Sequence, residues 1–177
     1  MPRKMATRVD ILSLIAARRS RRPVRALPAL DALFQRLAGS ALAGEALQTE
    51  DRIWDVWMHH PHRGAEQALR LATHDIAARR HDIAETRLSI LLRRAPQFAE
   101  AWHKRATLYY LLGRDEECLA DIRRTLQLEP RHFGAMLHFA EILLGLGAPA
   151  EARFAFLAAL TLHPHLARAR QALSDKA

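Results

Sequence analysis

The 177-residue sequence predicts an all-α solenoid, a right-handed stack of helical hairpins. Three observations carry that reading. Pro96, Pro130 and Pro164 are evenly spaced, about 34 residues apart, and a fixed period of this size marks a repeat architecture. Half of the residues are hydrophobic but only 6% are aromatic. Ala, Leu and Arg dominate, and these lose little freedom in a helix. Long β-branched runs, the usual strand signal, are missing.

From the N-terminus, residues 1–25 hold eight basic side chains against Asp10 alone, so +7 of the formal charge of +8 sits there. Such a stretch offers little apolar surface and predicts a disordered basic arm over residues 1–27. Its apolar stretch, Ile11–Ala17, contains Ser13 and runs into Arg18-Arg19-Ser20-Arg21-Arg22 with no small-residue cleavage site. A secretory signal needs about 7–15 apolar residues and then that site, so the stretch is a marginal candidate. The expectation is therefore a cytoplasmic protein, with a periplasmic one as the alternative if the segment acts as an export signal. No stretch reaches the roughly 18–20 apolar residues that span a bilayer.

Residues 28–177 form the expected domain. It opens with a helical cap over residues 28–62. Leu30, Leu33, Phe34 and Leu37, and then Ile53, Trp54 and Trp57 within Gln48–His59, show helical spacing, with Gly39–Gly44 as the loop. This pair is expected to cover the first repeat. Three hairpins follow, over 65–98, 99–132 and 133–166. Ala72, Ala106, Ala140, Ala84, Cys118 and Ala152 keep paired helices close, while Trp102, Tyr109, Phe156 and Leu88 fill the gaps. Gly113 and Gly147 supply stops between helices. Asp82 and Asp115 stand where N-caps belong, Asp82 with Glu85 in a capping-box pattern. Pro149 falls at a helix start. Residues 166–174 read as a capping helix with Arg168 and Arg170 outward, since a stack must close its ends.

The spacing Trp102, Tyr109, Gly113, Cys118, Ile122, Pro130 resembles the tetratricopeptide repeat (TPR), with Cys118 where Ala is usual. Residues 133–166 match through Ala152, Phe156 and Pro164. Residues 65–98 match by period, with Asp75 and Arg79 in place of Tyr and Gly. Residues 28–173 also resemble small bacterial TPR proteins that carry an Ile-Trp-x-x-Trp helix, here Ile53–Trp57. That resemblance implies a scaffold or adaptor and supplies no reaction. It also implies a concave binding groove lined by fixed positions of each first helix. Those positions are Glu66, Leu69, Thr73, Ile76 and Ala77, then Glu100, His103, Thr107, Tyr110 and Leu111. The last helix gives Gly134, Leu137, Glu141, Leu144 and Gly145. Lysines and asparagines, which related domains use to clamp acidic tails, are absent from these positions. Three glutamates among apolar residues point to an apolar or basic peptide.

Catalytic chemistry has no support in the sequence. One cysteine excludes an internal disulfide framework, and Cys118 sits in a small-residue core slot. No nucleophile elbow, phosphate loop or paired-carboxylate cleft is present. His59-His60-Pro61-His62 and His163-Pro164-His165 match no zinc spacing and flank helix ends, where histidine suits the dipole. The expectation is therefore no catalytic residues, no metal and no cofactor, with a protein or peptide as partner. The alternative is an anionic surface or nucleic acid held by the arm. Against it, no aromatics are interleaved there for base stacking. Oligomeric state and partner identity are not encoded in these signals.

Overall fold

The computed structural model describes residues 2–25 and 27–175. Met1 and Ala26 of the expected arm, Lys176 and Ala177 of the expected domain, and the side chains of Pro2, Arg3 and Lys4 lie outside that description. Ten α-helices and no strand are present among the described residues. They are α1 (Pro2–Ala16), α2 (Pro28–Gly39), α3 (Ala43–Met58), α4 (Arg63–Ala77), α5 (His81–Arg94), α6 (Ala99–Leu111), α7 (Asp115–Leu128), α8 (Phe133–Gly145), α9 (Pro149–Leu160) and α10 (Ala167–Ser174). A 3₁₀ turn, Ala17–Ser20, follows α1.

Helices α4–α5, α6–α7 and α8–α9 are the three hairpins, and each packs chiefly against its own partner. Their internal turns repeat one geometry. Gly113 (φ +67°) and Gly147 (φ +70°) take the left-handed conformation. At the first, the Gly113 N–H reaches the Tyr110 carbonyl and the Arg114 N–H the Tyr109 carbonyl. Gly147 and Ala148 do the same to Leu144 and Leu143. This is a Schellman cap, which satisfies otherwise orphaned carbonyls. Arg79 adopts the same conformation (φ 57°) with the equivalent bonds, its own N–H to Ile76 and that of Arg80 to Asp75. The turn therefore survives without its glycine.

Asp82 and Asp115 are not N-caps, because α5 and α7 begin earlier than the capping pattern requires. In each hairpin the left-handed residue is followed at once by the cap, so the turn itself sets where the second helix starts. Arg80 and Arg114 hold the cap positions, with no side-chain cap bond. Glu85 is drawn away from the capping box by Tyr109, whose hydroxyl donates at 3.0 Å, and by Arg114 at 2.8 Å. Pro149 does open α9.

The N-terminal segment departs from the expected arm. Residues 2–16 are helical, and Ile11 and Ile15 are fully buried. Helix α1 packs on α7 and α9. Arg8 pairs with Glu151, and Asp10 accepts from Arg123 at 3.0 Å. The physical reason is an i, i+4 apolar pair, which gives a short helix one face to bury. Charge concentrated on the other faces masks this in the composition. Beyond α1, Arg18 donates to Thr161 Oγ1 (2.7 Å) and the Val24 N–H to the Leu128 carbonyl (2.8 Å). The chain thus crosses the end of α7 before α2 begins.

The α2–α3 pair exists as expected but does not cap the first hairpin. Its buried residues Leu30, Phe34, Leu37, Ala46, Ile53 and Trp57 join the main core with α6–α10. A smaller core holds α4, α5 and one face of α6 (Leu69, Leu88, Leu92, Phe98, Leu108). The chain up to Met58 therefore clasps the second and third hairpins. Helix α1 lies on their second helices, and α2–α3 lies across the starts of their first helices.

Candidate functional site

The groove positions are held on one side of α4, α6 and α8, and α3 covers part of them. The Trp54 ring stacks on His103 (5.7 Å, 20°) and meets Phe133 edge-on (5.4 Å). Gly134 is required there, because a Cβ at that position would lie 2.8 Å from the Trp54 ring. Trp57 stacks on His132 at 4.1 Å and 8°. Lys104 stands 5.4 Å over the Trp54 ring, a cation–π contact. Farther along α3, Glu50 accepts from His163 Nε2 (2.8 Å), and His165 Nε2 meets the Ser40 carbonyl (2.9 Å). These bonds, together with Glu66 to His59 (2.8 Å), account for histidines of both clusters flagged in the sequence.

The expected groove residues consequently divide in two. Leu69, Glu100, His103 and Leu137 are buried and offer nothing to a partner in this conformation. Glu66, Thr73, Thr107, Tyr110 and Glu141 are half-buried, and Leu111 is 57% exposed. The open strip is therefore the half of the groove nearer the ends of α4, α6 and α8. Tyr110 stacks on His138 (5.4 Å, 14°) and shares a hydrogen bond with Glu141.

The three glutamates that pointed to a basic ligand are all engaged. Glu66 pairs with Arg70 and His59, Glu100 with Lys104 (3.1 Å) and His132 (2.9 Å), and Glu141 with Arg168 (2.5 Å). Burial raises the Glu141 carboxyl above its ordinary range, against the pull of Arg168 and Tyr110. Burial alone would raise Glu100 too, but Lys104, His103 and His132 hold it well below the usual range. What remains for a partner is chiefly apolar and aromatic surface.

Sequence reasoning missed one cluster. Glu100, His103 and His132 come together with ligand atoms within 4.8 Å of one another, all buried. The hydrogen bonds argue that protons fill this site in place of a cation. His132 Nδ1 accepts the Ala135 N–H (3.2 Å), so its proton sits on Nε2 and is donated to Glu100. A metal would need that Nε2 lone pair, and it would face the Lys104 ammonium on the other carboxylate oxygen. Glu100 and His103 belong to α6 while His132 caps α8, so the trio gave no local spacing signal. Only the repeat register aligns them. Cys118 is fully buried, and burial pushes its thiol up, so it serves packing.

Comparison with known proteins points to the same repeat. The tetratricopeptide-repeat profile matches residues 99–132. A TPR repeat-containing protein of Rhizobium etli is 30% identical over 118 residues, which is 67% of this chain and 58% of that protein. The chain carries the tetratricopeptide repeat. Two solved MamA structures share its fold. One, a point variant, has a TM-score of 0.53 at 18% identity, covering 82% of this chain and 81% of its own. The other has a TM-score of 0.50 at 17% identity, covering 83% and 95%. At these identities the likeness speaks to fold alone. The TPR family and fold support a protein-interaction scaffold, an architecture that is typically non-catalytic. Among the described residues no helix is long and apolar enough to cross a membrane.

Proposed function

We propose that this TPR protein is a protein-binding scaffold that holds an apolar peptide segment along the open half of its groove, over Thr73, Thr107, Tyr110 and Leu111. The observation that carries the reading is the state of the groove itself. Its other half already holds an amphipathic helix, α3, through stacked aromatic rings. A surface that accepts one apolar helix face in this way has the chemistry to extend it. Tyr110 and Leu111 lie at adjacent positions on the last turn of α6, next to the occupied half. Tyrosine at such a position offers broad contact at low entropic cost. A basic ligand is no longer favoured, because the glutamates that would have met it are paired internally.

A photo-crosslinking residue at Leu111 should capture a partner that the same residue at Arg153, on α9, does not. With that partner identified and purified, Tyr110→Ala should weaken binding by about 1–3 kcal/mol, the usual hot-spot range. The thermal midpoint must be measured on the same variant, since Tyr110 also stacks on His138. Unchanged affinity with an intact fold would remove the groove from the binding site. Loss of affinity in proportion to loss of fold would make Tyr110 a packing residue.

A further inference from the structure

We infer that the outer edge of the first hairpin is a second docking site, one that takes an amphipathic helix with a large apolar anchor and an acidic C-terminal end. A cavity of about 720 Å³ opens between α4 and α5 on the side facing away from α6. Its floor is Gly64, Ala65, Ala68 and Leu91, its wall Ile83 and Ile90.

The repeat register explains why the cavity exists. One repeat after Gly64 and Ala68 stand Phe98 and Trp102. Phe98 is buried in the smaller core, and Trp102 packs against that core with its Nε1–H donated to the Pro96 carbonyl at 3.0 Å. One repeat further, Met136 takes the place of Trp102 and is fully buried. The second and third hairpins thus carry large side chains at their leading faces, pressed into the hairpin before. The first hairpin carries glycine and alanine there, and α2–α3, the one segment that could cover it, is committed elsewhere. The ring missing from this chain is the group a ligand must bring.

Two further features give the ligand its character. Ile83 and Ile90 are 49% and 39% exposed, where the second hairpin has Glu117 and Arg124. Apolar side chains thus replace charged ones along a face that meets solvent. Asp82 lines one end of the cavity, and Arg94, with His60 and His62, lines the other. The helix between Asp82 and Arg94 runs for about 18 Å. Within the chain, α5 covers the leading face of α6 and ends beside the start of α6. A ligand helix docked in the same manner on α4 would end beside Arg94, where acidic groups are favoured. A second copy of this chain is a poorer occupant, because residues 63–94 carry seven arginines against four carboxylates. Bringing two such surfaces together sets like charges against each other.

The test uses the full chain and fluorescence anisotropy. The probe is a labelled helical peptide about five turns long, with a central Trp, Leu residues four and seven positions on, and glutamates in its last turn. A twin carries lysines in that turn. The acidic peptide should bind saturably and the lysine twin at least tenfold more weakly at low salt. Ala68→Trp fills the cavity with the ring of the second repeat, and should weaken the acidic peptide at least tenfold while the thermal midpoint holds or rises. Should that variant fail to fold, Ile83→Asp should give the same loss. Tyr110→Ala should leave peptide binding unchanged, which separates this edge from the groove. Absence of saturable binding, equal binding of both peptides, or full binding to the filled variants would overturn the inference. So would a dimer in sedimentation equilibrium that Ala68→Trp dissolves, because the occupant would then be a second copy.

Discussion

Arg79 shows what a single backbone position demands. It stands where Gly113 and Gly147 stand in the other hairpins, and it holds their left-handed conformation with a side chain attached. That conformation crowds a Cβ against the carbonyl that follows and costs about 1 kcal/mol. Arg79→Gly should therefore raise stability by about 0.5–1 kcal/mol in urea denaturation; a loss of stability would mean that the arginine side chain matters more than its backbone. The buried histidines set a second expectation. Burial, with the neighbouring His132, lowers His103 to about 4, although Glu100 pulls the other way. Burial, with His103 and Arg168, lowers His138 to about 3. Both stay neutral in the fold, while in the unfolded chain they take up protons near the ordinary value of about 6.5. Stability should hold above that pH and fall as the solution is acidified from about 6.5 toward 4, because the unfolded state then binds more protons. Glu100 adds to the loss only further into acid. His138→Phe keeps a ring against Tyr110 and should flatten the decline between pH 6.5 and 4; an unaltered slope would show that other groups carry it.

Helix α1 marks the limit of reading elements one at a time. On composition alone, its basic side chains favour a solvated arm. What composition hides is an i, i+4 pair, Ile11 and Ile15, with Leu12 and Leu14 partly buried beside it. Four apolar residues do not make a stable helix alone; they do so when α7 and α9 supply a surface to cover. Ile11→Ala should lower stability by about 2–4 kcal/mol, the range for truncating a buried aliphatic side chain. A change under about 0.5 kcal/mol, the scale of ordinary surface substitutions, would mean that α1 does not dock in solution. The three hairpins, by contrast, were legible as helical pairs. Their proline period, small-residue slots and two glycine turns are local signals repeated at fixed spacing. The helix starts near Asp82 and Asp115 were not, because a turn conformation at Arg79 and Gly113 sets them and the acidic residues do not.

At the scale of the molecule, the sequence announced a groove and could not announce what fills it. The fifteen positions named for binding fall on the expected helices, but five are buried, Gly134 among them. Much of that burial comes from α3, which brings Trp54 and Trp57 against His103 and His132 from far along the chain. Helical spacing identified α3 as a helix with an apolar face; nothing local said which surface that face would choose. The repeat register offered one hint that was available beforehand. Gly134 stands at a groove position where the other repeats have Glu66 and Glu100, and it marks the place where an aromatic ring comes close. The same register, compared across hairpins, exposes Gly64 and Ala68 as the small residues that leave the outer edge open.

The half-occupied groove depends on the chain up to Met58 belonging to the fold, clasping the second and third hairpins and occupying half of that surface. Hydrogen–deuterium exchange of the full chain, resolved by mass spectrometry, probes this dependence at the amides concerned. Those in residues 11–16 of α1 and 49–58 of α3 should exchange as slowly as those of α7 and α8. Exchange of either segment within seconds, while α7 and α8 stay protected, would contradict the clasp and leave the repeats with a free groove.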